Sequence, residues 1–227
     1  MIPLLHDFAG STVLVFGGGR VGARKARRFA REARVVVVSP TFADAAFGDV
    51  ERVRAAPTPD DVPEWFDRTN PALAVAATDD DDLNDAVARA ARERGCLLNR
   101  ADRSRRGNES ADGAARGERS REVVVPATVR DDPVVMAVAT GGRSPALSRY
   151  LRERFETEFA GAGAMADLTG EIRTELRDRY PPEKRRAAVR AVVRSDRVWK
   201  ALGDSSTNAK QEAHSVICDM LSGGGGR

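Results

Sequence analysis

Over the first hundred residues, short apolar runs alternate with amphipathic stretches. Residues 12–16, TVLVF, form a β-branched run that stops at glycines. Residues 20–31 carry helix formers, with Val21, Ala26 and Phe29 available for a buried face. Residues 34–38 end a valine run at Ser39-Pro40, and unbroken runs of this kind suit strands covered on both faces, as in a parallel sheet. A weaker strand over 50–55 precedes a Pro-rich connection at 57–63. Residues 73–77 read as a strand, 82–94 as a helix and 96–99 as a short last strand. Strand, helix, strand at this spacing predicts βαβ units in a doubly wound α/β fold.

The pattern breaks at Arg103. Residues 103–121 are Ser, Gly, Arg, Glu and Asp with no apolar period, which predicts a polar, disordered insert. Residues 123–125, 127–129 and 134–139 then read as strands separated by turn signals. After Gly141-Gly142 the pattern is helical, over 144–159 and about 164–179. Pro181-Pro182 can start a third helix that runs to about 194, and a last segment covers 208–221. The glycines at 223–226 read as a frayed end.

A length of 227 residues fits one core with an appended smaller unit. Hydrophobic content of 41% with 31% charge excludes global disorder. No stretch approaches the roughly 20 apolar residues of a membrane span. The N-terminus lacks a charged region and cleavage site, so the expectation is a cytoplasmic protein with no membrane partner. Two cysteines, Cys96 and Cys218, and two histidines, His6 and His214, cannot build a Cys/His zinc site. Cys96 reads as a reduced core residue and His214 as a helix-surface histidine, and no metal ligand is assigned. The net charge of +3 has an address: residues 103–121 hold six arginines against Glu109, Asp112 and Glu118, which leaves the rest formally neutral. That loop could gather a polycarboxylate substrate or be merely solvated. Nucleic-acid binding has only this stretch in its favour, without stacking aromatics, and is not expected.

The strongest local motif is Gly17-Gly18-Gly19-Arg20-Val21-Gly22, a G-x-G-x-x-G between a strand and a helix. Gly17 would make the tight turn, Gly19 would let the backbone approach a pyrophosphate, and Gly22 would permit close helix–strand packing. The helix N-terminus supplies free N–H groups and partial positive charge. Dinucleotide binding in a Rossmann-like unit follows. The acid expected after the second strand is missing, since that strand ends in Ser39-Pro40-Thr41. No basic residue directly follows either, which argues against a 2′-phosphate.

Thr78-Asp79-Asp80-Asp81-Asp82 stands at the carboxyl end of a strand, where α/β sheets bind ligands, and also suits helix capping. Asn99-Arg100-Ala101-Asp102 ends the last strand of that unit. Asp102 is placed to take a proton while hydride leaves for a nicotinamide, or it is a turn residue. In Thr140-Gly141-Gly142-Arg143-Ser144-Pro145, Ser144 is a natural N-cap and Pro145 fits the first helical position. Gly141, Gly142, Arg143 and Ser144 also suit a substrate carboxylate, with Arg149 and Arg152 nearby on the helix. A Tyr180-x-x-x-Lys184 pair is set aside because Pro181 and Pro182 stand between its members.

Taken in order, PLLHDFAGSTVLVFGGGRVGARKARRF, VSPTF, AVAATDDDDLN, NRAD and VVVPATVRDDPVVMAVATGGRSPALSRYLRERFE resemble the precorrin-2 dehydrogenase/sirohydrochlorin ferrochelatase family, the siroheme synthase N-terminal module. The likeness covers residues 1 to about 160, and the helical remainder matches in length and character. It implies NAD-dependent oxidation of precorrin-2 to sirohydrochlorin by a homodimer. It implies an NAD-binding Rossmann domain over 1–102, the insert over 103–121, a dimerisation segment over 122–150 and a helical tetrapyrrole-covering domain over 151–227. By position it carries over cofactor contacts at Gly19, Arg20, Val21, Pro40, Thr41 and Thr78, beside Gly17 and Gly22 of the motif. It makes Asp102 the catalytic aspartate. Some members also insert metal with that residue, so Fe(II) or Co(II) would be a second substrate there. The chain departs from the family's usual pattern in Arg100-Ala101 and in the length of 103–121. Two other readings remain at this point: a non-catalytic NAD-sensing module, and a chelatase alone.

Overall fold

The computed structural model describes residues 2–101, 121–204 and 208–223. The chain divides into two compact units, Met1–Val125 and Pro126–Arg227. In the first, the apolar runs become β1 (Thr12–Phe16), β2 (Arg34–Ser39), β3 (Glu51–Arg54), β4 (Leu73–Ala76) and β5 (Leu97–Arg100). They form one sheet in the order β3-β2-β1-β4-β5, with every pair parallel. Helices α1 (Arg20–Phe29), α2 (Val62–Thr69) and α3 (Asp81–Glu93) are interleaved with the strands. The doubly wound, Rossmann-like expectation is met. Strand order reverses between β1 and β4, so the ligand crevice of such a sheet lies at the carboxyl ends of those two strands.

Alternation along the strands explains why both faces are covered. Val13, Val15, Val35, Val37, Leu73 and Val75 pack with Ala23 and Ala26 of α1. Leu14, Phe16, Val36, Val38, Ala74 and Leu98 pack with Val62 and Phe66 of α2 and Leu83, Val87 and Ala91 of α3. Helix α2 has no counterpart in the sequence reading. It is eight residues long, carries Pro63 in its first turn and buries only Val62 and Phe66, too few positions to reveal a helical period. The strand expected at 123–125 is likewise absent. A single parallel bridge joins Glu122 to Leu98, through Leu98 N–H to Arg121 O and Val123 N–H to Leu98 O. The chain then leaves the sheet, and Pro126 has no N–H with which to continue a ladder. Of the expected insert only Arg121 is among the described residues, and its guanidinium donates to Gly95 O at 2.7 Å.

The second unit begins with an antiparallel hairpin, β6 (Ala127–Asp131) and β7 (Val134–Val138). Helix α4 (Pro145–Glu158) packs on it. Helices α5 (Ala162–Glu175), α6 (Pro182–Val193), α7 (Asp196–Gly203) and α8 (Ala209–Gly223) close around Met165, Leu168, Ile172, Val192, Val198, Ala213 and Ile217. Helix α7 was not anticipated, since its eight residues bury only Val198 and Ala201. No helix among the described residues is long and apolar enough to cross a membrane.

A hydrogen bond ties the bundle to the hairpin. The Gly163 N–H in the first turn of α5 donates to Asp131 Oδ2 at 3.0 Å, so a β6 carboxylate satisfies one free donor of the helix. A Cβ on Gly163 would lie 2.3 Å from Asp132 O and 2.6 Å from Asp131 O. We therefore expect Gly163→Ala to destabilise the protein by about 1–3 kcal/mol, and Asp131→Ala by about 1 kcal/mol. Urea denaturation would check both, and equal stability of Gly163→Ala and wild type would refute the close approach.

Candidate functional site

The glycine loop runs from the end of β1 into α1, and three of its glycines have nowhere to put a side chain. Gly17 has φ +118°, and a Cβ there would sit 2.4 Å from Ala77 O, just beyond β4. A Cβ on Gly18 would sit 2.1 Å from Thr41 O and 2.8 Å from Ser39 Oγ, at the end of β2. A Cβ on Gly22 would sit 1.9 Å from Gly17 O. Hydrogen bonds fix the same approach: Gly17 N–H donates to Val38 O at 3.0 Å and Ala43 N–H to Gly18 O at 2.8 Å. Gly18 was only a spacer in the sequence motif, yet it is as tightly seated as Gly17. A third glycine where the pattern asks for two was the signal.

Gly19 is the opposite case, with nothing within 4 Å of a Cβ position. It is the N-cap of α1, makes no side-chain cap, and no acid stands in the first turn that includes Arg20, Val21 and Gly22. The other helix starts singled out in the sequence are satisfied internally. At α3, Asp80 accepts from Leu83 N at 3.0 Å, with Asp81 and Asp82 behind it. At α4, Ser144 accepts from Leu147 N at 3.2 Å, as its N-cap reading required. Free N–H groups, positive helix potential and open space in front of Gly19 together fit a dinucleotide pyrophosphate. Pro40 and Thr41 are exposed at the end of β2, beside the loop.

Thr78 has its polar groups engaged with the start of α3. Its hydroxyl lies 2.8 Å from Asn84 Oδ1 and 3.0 Å from Asp80 O, and it accepts from Asp80 N at 3.2 Å. Its main chain is also bonded to Asn84, which is fully buried in the first turn of α3. Asn84 is missing from the expected site residues, although its polar side chain stands out on the otherwise apolar buried face of α3. At the end of β5, Asn99 Nδ2 donates to Val123 O at 2.8 Å, while its buried Oδ1 has no partner among the described residues. Arg100, one of the two departures from the family pattern, has a side chain only 8% exposed and paired with Asp85 of α3 at 2.5 Å. The Ala101 N–H donates to Ala76 O at 2.9 Å. Asp102 lies outside the described residues.

In the second unit Gly141, Gly142 and Arg143 are exposed before α4, with φ of +62° and +80° at the two glycines. The Thr140 hydroxyl lies 3.1 Å from Ser144 O and 3.0 Å from Ser148 Oγ, which folds this turn back onto its helix. His214 lies 2.9 Å from Glu175 on the surface of the bundle, and Lys210 bridges Glu171 and Glu175. Cys96 is buried and free, and burial pushes its thiol up to about 11. No group of three or more metal-ligating side chains is found among the described residues.

Comparison with known proteins follows the same outline. A family model described as "Putative NAD(P)-binding" matches residues 4–110. The solved structure of SirC, a precorrin-2 dehydrogenase, shares the fold over 96% of this chain and 98% of its own, with a TM-score of 0.63 at 20% identity. The precorrin-2 dehydrogenase of Methanosarcina barkeri is 28% identical across 97% of this chain and 95% of its own length. The siroheme synthase of Stutzerimonas stutzeri is 31% identical across 98% of this chain. Over nearly its whole length the chain is thus similar to precorrin-2 dehydrogenases and to siroheme synthases. It spans 44% of the length of the Stutzerimonas protein.

Gly18→Ala is expected to cost about 1–3 kcal/mol by overpacking against Thr41, read by thermal or urea denaturation. An unperturbed melting curve would mean that the loop can move off β2. Lys25 lies one turn into α1, where burial pushes its ammonium down to about 8, with Arg28 and Arg24 adding repulsion. The unfolded lysine keeps its proton up to about 10.5. The charged form therefore opposes folding below about pH 8, and stability rises between about pH 8 and 10.5, where only the unfolded chain still binds the proton. Lys25→Met should be more stable than wild type at about pH 7, by on the order of 1–3 kcal/mol, and should lose that rise. A variant that tracks wild type both at about pH 7 and at about pH 10.5 would refute the burial.

Proposed function

We propose that this chain oxidises precorrin-2 to sirohydrochlorin with NAD as acceptor, a step of siroheme biosynthesis. The observation that carries the reading is the N-terminus of α1, uncapped, free of acids and open at Gly19, in a chain similar to precorrin-2 dehydrogenases over nearly its whole length. When bound there, NAD would supply a hydride acceptor. The N–H groups at Gly19, Arg20 and Val21 would hold the pyrophosphate, with Gly17 and Gly22 allowing the loop to close beneath it. Pro40 and Thr41 would border the ribose through backbone and hydroxyl, since no acid stands there. Thr78 would border the cofactor mainly by shape, its polar groups being engaged with Asn84 and Asp80.

Asp102 takes the proton released as hydride leaves, a role resting on the family resemblance and its place after β5. Gly141, Gly142, Arg143 and Ser144 are proposed to meet a substrate carboxylate. We further propose a homodimer formed through the β6–β7 hairpin. A two-stranded ribbon is marginal by itself, and here Val134, Val135, Met136 and Val138 are only half-buried, while Leu147 and Tyr150 of α4 are 46% and 57% exposed. A monomer in sedimentation would remove that part.

The deciding experiment incubates pure protein with precorrin-2 and NAD and follows NADH formation. Wild type should turn over, and Asp102→Asn should bind NAD normally with turnover reduced about 100-fold or more. Full activity in that variant would take Asp102 out of the mechanism. Binding without turnover in wild type would favour a sensing module. Insertion of Fe(II) or Co(II) into sirohydrochlorin without NAD would add or substitute a chelatase activity.

A further inference from the structure

We propose that Asn84 is a positioning residue of the cofactor site, holding residues 76–78 as the wall on which the glycine loop is seated. The inference rests on the reading of that loop as the NAD site. Asn84 Nδ2 donates to Thr78 O at 3.0 Å, and Asn84 Oδ1 accepts from Thr78 N at 3.3 Å and faces Thr78 Oγ1 at 2.8 Å. One fully buried amide thus grips the main chain of Thr78 on both sides. Ala77 comes next, with its N–H bonded to Phe16 O at 2.9 Å and its carbonyl against Gly17, where a Cβ would lie 2.4 Å away. The place of Thr78 therefore sets the place of Ala77 O, and with it the seat of Gly17. On the other side Ala76 O accepts from Ala101 N at 2.9 Å, so the same wall also carries the end of β5.

Helix capping does not require this amide, because Asp80 already caps α3. Its neighbours Leu83, Val87 and Ala88 are buried and apolar, so a leucine would suit the helix face but leave the Thr78 N–H and C=O without partners. The amide is needed because it donates and accepts at once. A protonated carboxyl can do the same, whereas an ionised carboxylate can only accept and would face Thr78 O. Burial raises the carboxyl's titration toward the neutral range.

The test is NAD affinity by calorimetry for wild type and Asn84→Asp at about pH 5 and about pH 8, with a melting curve at each. Wild type should bind equally at both. Asn84→Asp should bind about 10-fold more weakly at about pH 8, as expected for one lost buried hydrogen bond, and within about 3-fold of wild type at about pH 5. A folded Asn84→Asp with wild-type affinity at both pH values, or with equal loss at both, overturns the inference. If that variant is unfolded at about pH 8, Thr78→Val decides the matter. It exchanges only the hydroxyl that faces Asn84 Oδ1 for a methyl group, and should weaken NAD binding about 3-fold; unchanged affinity overturns the proposal. Wild-type protein that binds no NAD overturns the cofactor reading together with this inference.

Discussion

The cofactor site proposed for this protein depends on one steric constraint, the approach of a glycine turn to carbonyls at the ends of the two strands that flank β1. Gly17 meets Ala77 O after β4, Gly18 meets Thr41 O after β2, and Gly22 meets Gly17 O across the turn. Side chains at these positions would push α1 away from the sheet edge. With them absent, the first N–H groups of α1 face the crevice where strand order reverses between β1 and β4. The parallel register places the ends of β2, β1, β4 and β5 along that one edge.

A second selection acts on charge. Helix N-termini attract anions, and most are satisfied by their own caps. Asp80 does this for α3 and Ser144 for α4, whereas α1 has neither a capping side chain nor a first-turn acid. The acids at 80–82 therefore work as helix chemistry, and of these three helix starts only that of α1 lacks both a capping side chain and a first-turn acid. Asn84 links the two, since the residue it grips lies between the acidic turn and the loop.

The parallel sheet was legible because valine-rich runs buried on both faces have few other destinations, and residues 12–16, 34–38 and 73–77 landed within a residue of β1, β2 and β4. Short helices were not legible. Helices α2 and α7 bury two residues each, below the length at which a 3.6-residue period stands out. The run at 123–125 had the composition of a strand but touches β5 only where it begins, through Val123 beside the Glu122 bridge, because pairing depends on what lies beside it rather than on β-propensity.

At the candidate site, the sequence by itself determined the glycine loop, its position between a strand and a helix, and the family's ordered motifs. Those signals are local, since a turn that needs glycine and a helix that follows it are written within a few residues. Tertiary structure alone decided that Gly18 is as constrained as Gly17, that Thr78 turns its polar groups toward Asn84, and that Arg100 is tucked against Asp85. Each of these depends on atoms brought together from strands and helices separated along the chain. Spacing cannot reveal which carbonyl will stand 2.1 Å from an absent Cβ; only the packed sheet edge does that.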